Sequence, residues 1–370
     1  MISEERKARL AKQGYRLVGN HTAVKVCHWC KSSIRGDSAC YKNTFYGIQS
    51  WRCIQMAPTL DSCNFRCEWC WRDIKYIDKG LDVPVIDSPK EIVDGCIDVH
   101  KELLMGFKGF EGTDFNKFWE SMRPIHVAIS LTGEPTLYPF LPELIKEFHS
   151  RKMTTYLVSN ASRPAMIQRL LDEEQPTQMY MTLPAPNAEI FKRAVHPLYP
   201  EDNWETLMES FSKLHKFDRS VARLTVTKGV NMVEPEEYAR LLTEIKPAFV
   251  EIKGYVNVGF SKKRLSLQAM PSNAELKEFS EKINKILGYE FASFRAESNV
   301  ALLWNGITPR FIDFKKWGID LPEPVIVPPR KVPGIYSGQK ETIAEPLPSE
   351  GEGCCSTEEL NPKDLLQIKL

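Results

Sequence analysis

The sequence predicts an α/β fold in which a largely parallel sheet is wound through repeated βαβ units. Two observations carry that expectation. Short runs rich in β-branched and aromatic residues recur along residues 52–254, and helix-length amphipathic stretches lie between most of them. A third observation points to chemistry. Seven of the ten cysteines fall between Cys27 and Cys70, around the first of those runs.

Taken in order, residues 1–50 bear Cys27, Cys30 and Cys40 and are short of helical periodicity; they are expected to be an extension that supplies cysteines to the site. The strand-like runs are Arg52–Ala57, His126–Leu131, Thr154–Ser159, Gln178–Leu183, Val221–Thr227 and Phe249–Gly254. The helical stretches are Pro89–Gly106, Pro142–Lys152, Pro164–Leu171, Trp204–Phe217 and Glu236–Ile245. Six such units fit an α/β barrel, partial or complete, better than a sandwich. Periodicity alone does not separate a barrel from a doubly wound sheet. A further helix, Asn273–Leu287, and two strand-like runs, Glu290–Ala296 and Val300–Trp304, extend the unit, which is expected to span 51–320. From 321 to 370 the composition shifts. Eight of the 25 prolines lie there among Gly, Ser and Glu, and 340–370 reads as a mobile tail.

Composition excludes several classes. No run approaches the roughly 18 to 20 apolar residues of a membrane span, and the charged start MISEERKARLAKQG has no apolar h-region. A cytoplasmic, monomeric protein with no membrane partner is expected. A net charge of +1 means that any nucleic-acid partner must be held by a local patch. A disulfide framework would be unusual in such a chain, whereas clustered cysteines point to metal.

Cys63, Cys67 and Cys70 form a CxxxCxxC directly after the first β-run. Three thiolates on one tight loop can hold three irons of a [4Fe–4S] cube and leave the fourth open to a small ligand. A zinc site would normally want a fourth Cys or His at matching spacing. With Trp69 before the last cysteine, this loop resembles the signature of radical S-adenosylmethionine (SAM) enzymes, whose open iron takes the amino and carboxylate groups of SAM. Thr132-Gly133-Glu134-Pro135, after the second run, is similar to that family's GGEP motif, with Thr132 where the first glycine stands. Ser159-Asn160 ends the next run, and Glu251-Ile-Lys-Gly-Tyr255 the sixth. The resemblance implies a partial (β/α)6 TIM-like barrel with SAM held by Trp69, Gly133, Glu134, Ser159, Asn160, Lys253 and Tyr255 at the carboxyl ends of the strands.

Cys27, Cys40 and Cys53 are spaced thirteen residues apart, twice. This spacing, with Cys40-Tyr-Lys-Asn-Thr-Phe-Tyr-Gly-Ile48 and Leu131-Thr-Gly-Glu-Pro-Thr-Leu-Tyr-Pro139, resembles one radical SAM branch, the archaeal-type tRNA 4-demethylwyosine synthases, over roughly 20–320. The resemblance implies two [4Fe–4S] clusters, the second on Cys27, Cys40 and Cys53. It implies tRNA(Phe) carrying N1-methylguanosine at position 37 as substrate and pyruvate as the two-carbon donor. It further implies electrons from an external donor, a 5′-deoxyadenosyl radical that takes hydrogen from the methyl group, and 4-demethylwyosine as the product. It also gives Lys42 a catalytic role toward the keto acid, by ion pairing or a Schiff base. Cys27-His-Trp-Cys30 is itself a CxxC, so Cys30 competes with Cys27 as ligand.

Arg163, Arg223, Lys253, Lys262, Lys263 and Arg264 are the candidate tRNA contacts, a basic rim on a neutral protein. Tyr255 and Phe260 are candidates for stacking on an extruded base or for core packing. Cys96, His100 and His126 read as structural, and Cys354 and Cys355 carry no assignment. The rival readings are another two-cluster radical SAM enzyme acting on RNA or protein, and a non-catalytic zinc-bearing RNA-binding module.

Overall fold

The computed structural model describes residues 2–77, 80–81, 83–321 and 326–328. The stretch expected to be a mobile tail, with Cys354 and Cys355, lies outside the described residues.

The elements are α1 (Glu4–Lys12), β1 (Arg16–Val18), β2 (Thr22–Val24), α2 (His28–Ile34), α3 (Tyr41–Tyr46), β3 (Cys53–Ala57), α4 (Pro89–Leu104), α5 (Phe115–Ser121), β4 (His126–Ile129), α6 (Leu141–Ser150), β5 (Thr154–Ser159), α7 (Pro164–Asp172), β6 (Gln178–Thr182), α8 (Ala188–Val195), α9 (Trp204–Phe211), β7 (Ser220–Val226), α10 (Pro235–Ile245), β8 (Phe249–Gly254), α11 (Asn273–Leu287), β9 (Glu290–Arg295) and β10 (Val300–Trp304). One sheet runs β1-β2-β3-β4-β5-β6-β7-β8-β10-β9. Its six central strands, β3 to β8, pair in parallel and in chain order. Antiparallel strands flank them on both sides, and the end strands do not pair with each other, so the barrel is partial.

The extension before residue 50 departs from expectation. It contains three helices and two strands. Two of its helices are very short, which is why no periodicity shows: α2 has 7 residues and α3 has 6. The short α5 and α8 escape for the same reason; α8 is started by Asn187, whose side chain accepts from the Ile190 N–H at 3.0 Å. Longer helices carry clear signals. Ser88 and Glu91 make a capping box at α4, and Ser272 and Glu275 make one at α11.

Strand alternation divides the core into two layers. On the outer face Ile54, Met56, Val127, Ile129, Leu157, Met179, Leu224, Val250 and Ile252 pack against Ile92, Leu144, Ile145, Phe148 and Leu242 of the helices. On the inner face Tyr156, Tyr180, Val221 and Phe249 meet Tyr41, Phe45 and Tyr46 of α3. The N-terminal extension thus fills the barrel interior with a helix flanked by Cys40 and carrying Lys42.

Candidate functional site

The loop after β3 carries the first trio. Arg66 and Glu68 donate backbone N–H groups to the carbonyls of Val195 and Ala194, at 2.8 and 3.0 Å, and the Cys70 N–H closes a turn on the Cys67 carbonyl at 3.0 Å. Arg264 braces the loop, donating to the carbonyls of Glu68 (3.1 Å) and Cys70, and to that of Phe260 in its own segment (3.3 Å). Burial pushes the Cys63, Cys67 and Cys70 thiols up, and the charges of neighbouring cysteines push Cys63 and Cys67 further. Three partly buried thiols whose anions repel one another suit a metal cluster, because bound cations reverse that penalty. Among the described residues, no three Cys, His, Asp or Glu side chains are close enough together to chelate a single ion. A cube takes one thiolate per iron and spreads its ligands wider.

The motifs on the next two strand ends meet at this loop. Gly133 has φ +71° and lies so close to it that a Cβ would stand 1.9 Å from the Thr59 carbonyl oxygen, which only glycine avoids. The Glu134 N–H donates to the Ser62 carbonyl at 2.8 Å. The Glu134 carboxylate is buried and accepts from the Thr136 hydroxyl (2.6 Å), the Ser159 hydroxyl (2.7 Å) and the Asn160 N–H (2.7 Å). Burial raises its pKa against those bonds. Asn160 in turn donates to Asn64, the neighbour of Cys63, at 2.9 Å. Gly133, Glu134, Ser159, Asn160 and the cysteine loop are one connected structure. Asn64 is an addition to the expected residues, and its only sequence signal is its place inside CxxxCxxC. Trp69 is half-buried against the outer core layer.

The second trio comes from separate elements. Cys27 precedes α2 as its N-cap, Cys40 precedes α3 as its N-cap, and Cys53 opens β3. All three are partly exposed, as the first trio is, whereas Cys30 is fully buried and its thiol donates to the Trp51 carbonyl at 3.5 Å. Cys53 feels the charges of both Lys42 and Cys40. Buried Arg295 donates to the Ala39 carbonyl (3.2 Å) and pairs with Glu297 (2.8 Å), so a late strand of the sheet holds the turn that presents Cys40.

Lys42 is buried, its Nζ 4.2 Å from the centroid of the Tyr180 ring and 5.2 Å from that of Tyr156. Burial lowers its pKa, and the negative fields of Glu251, Cys40 and Cys53 oppose that shift. Glu251 accepts from the hydroxyls of Tyr41 (3.0 Å) and Tyr46 (2.8 Å), both on the helix of Lys42. Glu251, Tyr156 and Tyr180 are further additions; their signal is a polar or aromatic residue at inward positions of otherwise apolar strands.

The candidate RNA contacts do not form one surface. Lys262 and Lys263 are exposed near the cysteine loop, with Lys263 5.2 Å from the Phe260 centroid. Arg163 pairs with buried Asp202. Arg264 is occupied in bracing the loop. Arg223 and Lys253 lie on the inner strands beside Tyr41. Tyr255 is core: its hydroxyl is 2.9 Å from the Ser261 hydroxyl and accepts from Asn257 at 3.0 Å. His126, also buried, accepts from the Gln49 N–H at 3.2 Å and lies 2.6 Å from the Thr154 hydroxyl, a structural role. Among the described residues no helix is long and apolar enough to cross a membrane.

Residues 58–242 match the radical SAM superfamily and residues 244–305 match a family described as wyosine base formation. The chain is 40% identical to the S-adenosyl-L-methionine-dependent tRNA 4-demethylwyosine synthase of Pyrococcus abyssi, over 84% of this chain and 94% of that protein. This chain belongs to the tRNA 4-demethylwyosine synthase family. The Homo sapiens synthase, TYW1, is 36% identical over 82% of this chain and 41% of its own length. A solved structure of TYW1 with a lysine–pyruvate adduct bound superposes with a TM-score of 0.75 at 34% identity, covering 85% of this chain and 99% of that one. As a member of the synthase family, the chain is a radical SAM enzyme, and its family uses SAM and a [4Fe–4S] cluster. The wyosine-formation match contains Glu251, Arg295 and Glu297, the residues that contact the helix of Lys42 and the turn of Cys40.

Proposed function

We propose that the protein converts N1-methylguanosine at position 37 of tRNA(Phe) to 4-demethylwyosine, with pyruvate as carbon donor, electrons from an external donor, and a second [4Fe–4S] cluster on Cys27, Cys40 and Cys53. The observation that carries this reading is Lys42: a lysine buried in an aromatic box inside the barrel, two residues from Cys40. A solved TYW1 has a lysine–pyruvate adduct bound, which supports giving Lys42 the keto acid. A surface lysine would keep its ordinary pKa and be mostly protonated, whereas burial favours the neutral, nucleophilic amine.

Cys63, Cys67 and Cys70 would hold the cluster that, when bound, supplies the electron for cleaving SAM to the 5′-deoxyadenosyl radical. The protein's own contribution is placement. Gly133 lets the Thr132–Pro135 loop approach the cysteine loop, and Glu134 ties it to Ser159 and Asn160 on the next strand. Arg264 fixes the cysteine loop through the Glu68 and Cys70 carbonyls. Lys262 and Lys263 provide exposed charge for RNA phosphates beside it. Cytoplasmic action on tRNA by a monomer completes the reading.

The test is incubation of reconstituted protein with SAM, a reductant, pyruvate and N1-methylguanosine tRNA, followed by nucleoside analysis. Formation of the tricyclic nucleoside only when all four are present is the expected result. Lys42→Ala should keep both clusters yet make no product. Product at the wild-type rate from that variant would remove Lys42 from the mechanism.

A further inference from the structure

His21 lies in the turn between β1 and β2, outside the residues that match the radical SAM superfamily. It is buried, and both of its ring nitrogens are engaged. Nδ1 lies 2.5 Å from the Pro58 carbonyl oxygen, and Nε2 accepts from the Asp87 N–H at 3.0 Å. A carbonyl oxygen only accepts and an amide N–H only donates, so the ring carries its proton on Nδ1. The main chain of His21 reaches the same strand end: its carbonyl accepts from the Leu60 N–H at 2.8 Å. Pro58 and Leu60 flank Thr59, so His21 holds Thr59 through both of its neighbours.

Thr59 is where two loops of the site meet. Its carbonyl accepts from the Ser62 N–H at 3.0 Å, closing the turn that leads into Cys63. The same carbonyl oxygen is the atom that Gly133 approaches. The next residue, Glu134, donates its N–H to the Ser62 carbonyl at 2.8 Å. The Thr59–Ser62 turn therefore carries both the start of the cysteine loop and its contact with Thr132–Pro135. The ring of His21 is braced in turn. The Asp87 carboxylate, 3.4 Å from Nε2, accepts from the Asn20 N–H (2.7 Å) and the Asn20 side-chain amide (2.6 Å). The Tyr138 hydroxyl donates to the Asp87 carbonyl at 2.7 Å, and its ring centroid is 5.6 Å from that of His21.

We propose that His21 is a positioning residue for the SAM site: through the bond from Nδ1 to Pro58 it fixes the Thr59–Ser62 turn, and with it the spacing between the first cysteine trio and the Thr132–Pro135 loop. The assignment rests on the reading that these two loops hold the cluster and SAM. A turn left loose in the free protein must be ordered when SAM binds, and the cost of that ordering lowers affinity. The bond from Asp87 only braces the ring. The two bonds are alike in kind and burial but differ in their consequence for SAM.

Two substitutions separate them. The side-chain amide of asparagine stands where Nδ1 stands and can donate to Pro58. That of glutamine stands where Nε2 stands and can accept from Asp87. SAM affinity of reconstituted full-length protein is read from the change in the electron paramagnetic resonance spectrum of the reduced cluster as SAM is added. The melting temperature reports on the fold. His21→Gln should raise the SAM concentration for half-saturation roughly three- to tenfold, the effect of one hydrogen bond, while His21→Asn stays within about twofold of wild type. Both should lower the melting temperature to a similar extent. If Gly133→Ala binds SAM as tightly as wild type, the reading of the two loops fails and the role of His21 falls with it. If Gly133→Ala binds weakly and His21→Gln binds as wild type does, the His21 assignment alone is overturned. An equal loss of affinity in His21→Asn and His21→Gln would also overturn it, since the ring would then serve only the fold.

Discussion

The two cysteine trios are built in opposite ways. Cys63, Cys67 and Cys70 lie within eight residues of one loop, so their proximity is local and costs little chain entropy to achieve. Cys27, Cys40 and Cys53 come from two helix N-caps and a strand start. Cys40 takes its place only when α3 enters the barrel and Arg295, from a late strand, holds the turn before it. The spacing of the first trio is set within its own loop, and distant residues such as Arg264 and Gly133 only seat that loop on the barrel. The second depends on packing throughout the chain, which makes it the more sensitive reporter of the fold.

The largest effect expected from breaking this contrast is at the local trio. Replacing Cys63, Cys67 and Cys70 with Ala should lower bound iron from about eight atoms to about four and abolish 5′-deoxyadenosine formation. A triple variant that still cleaves SAM would disprove the assignment of the loop. Cys40→Ala should halve iron in the same way yet leave SAM cleavage measurable while product disappears; loss of cleavage as well would show that the two trios are not independent. Gly133→Ala should reduce SAM cleavage at least about tenfold and destabilise the protein by about 2 kcal/mol or more, through its positive φ and the overlap with Thr59. An unchanged melting temperature would contradict the close approach of the two loops. Lys262→Ala with Lys263→Ala should weaken tRNA binding and lower the log–log salt slope by roughly 0.7 to 0.9 per lost phosphate contact, with SAM cleavage intact; an unchanged slope would place the RNA on another face. The smallest effect is expected at Cys30→Ala, which removes a buried thiol in the core at a cost of about 1 kcal/mol and leaves iron content alone. A loss of iron there, and not in Cys27→Ala, would exchange the two residues as ligands.

What depends on local order is legible in the residues. Strand and helix alternation predicts the parallel strands β3–β8 to within about two residues, because side-chain period is a local property. CxxxCxxC and Thr132–Pro135 are legible because the chemistry they carry resides in consecutive residues. Helices α2 and α3 of the extension are not, since segments of 6 or 7 residues show too little periodicity and are held by tertiary contacts. Arg264 and Arg223 show the other limit. Both count as positive charges along the chain, but packing turns one into a brace for the cysteine loop and aims the other into the barrel. Charge is a property of the residue, whereas the partner that uses it is chosen by what the fold brings within hydrogen-bond distance. The sequence by itself determined the succession of strands, the first trio and the glycine that lets two loops meet. Only the tertiary structure decided that α3 fills the barrel and that Lys42 is buried among Tyr156, Tyr180 and Glu251, because those neighbours are far from Lys42 along the chain and are joined to it by burial rather than by spacing.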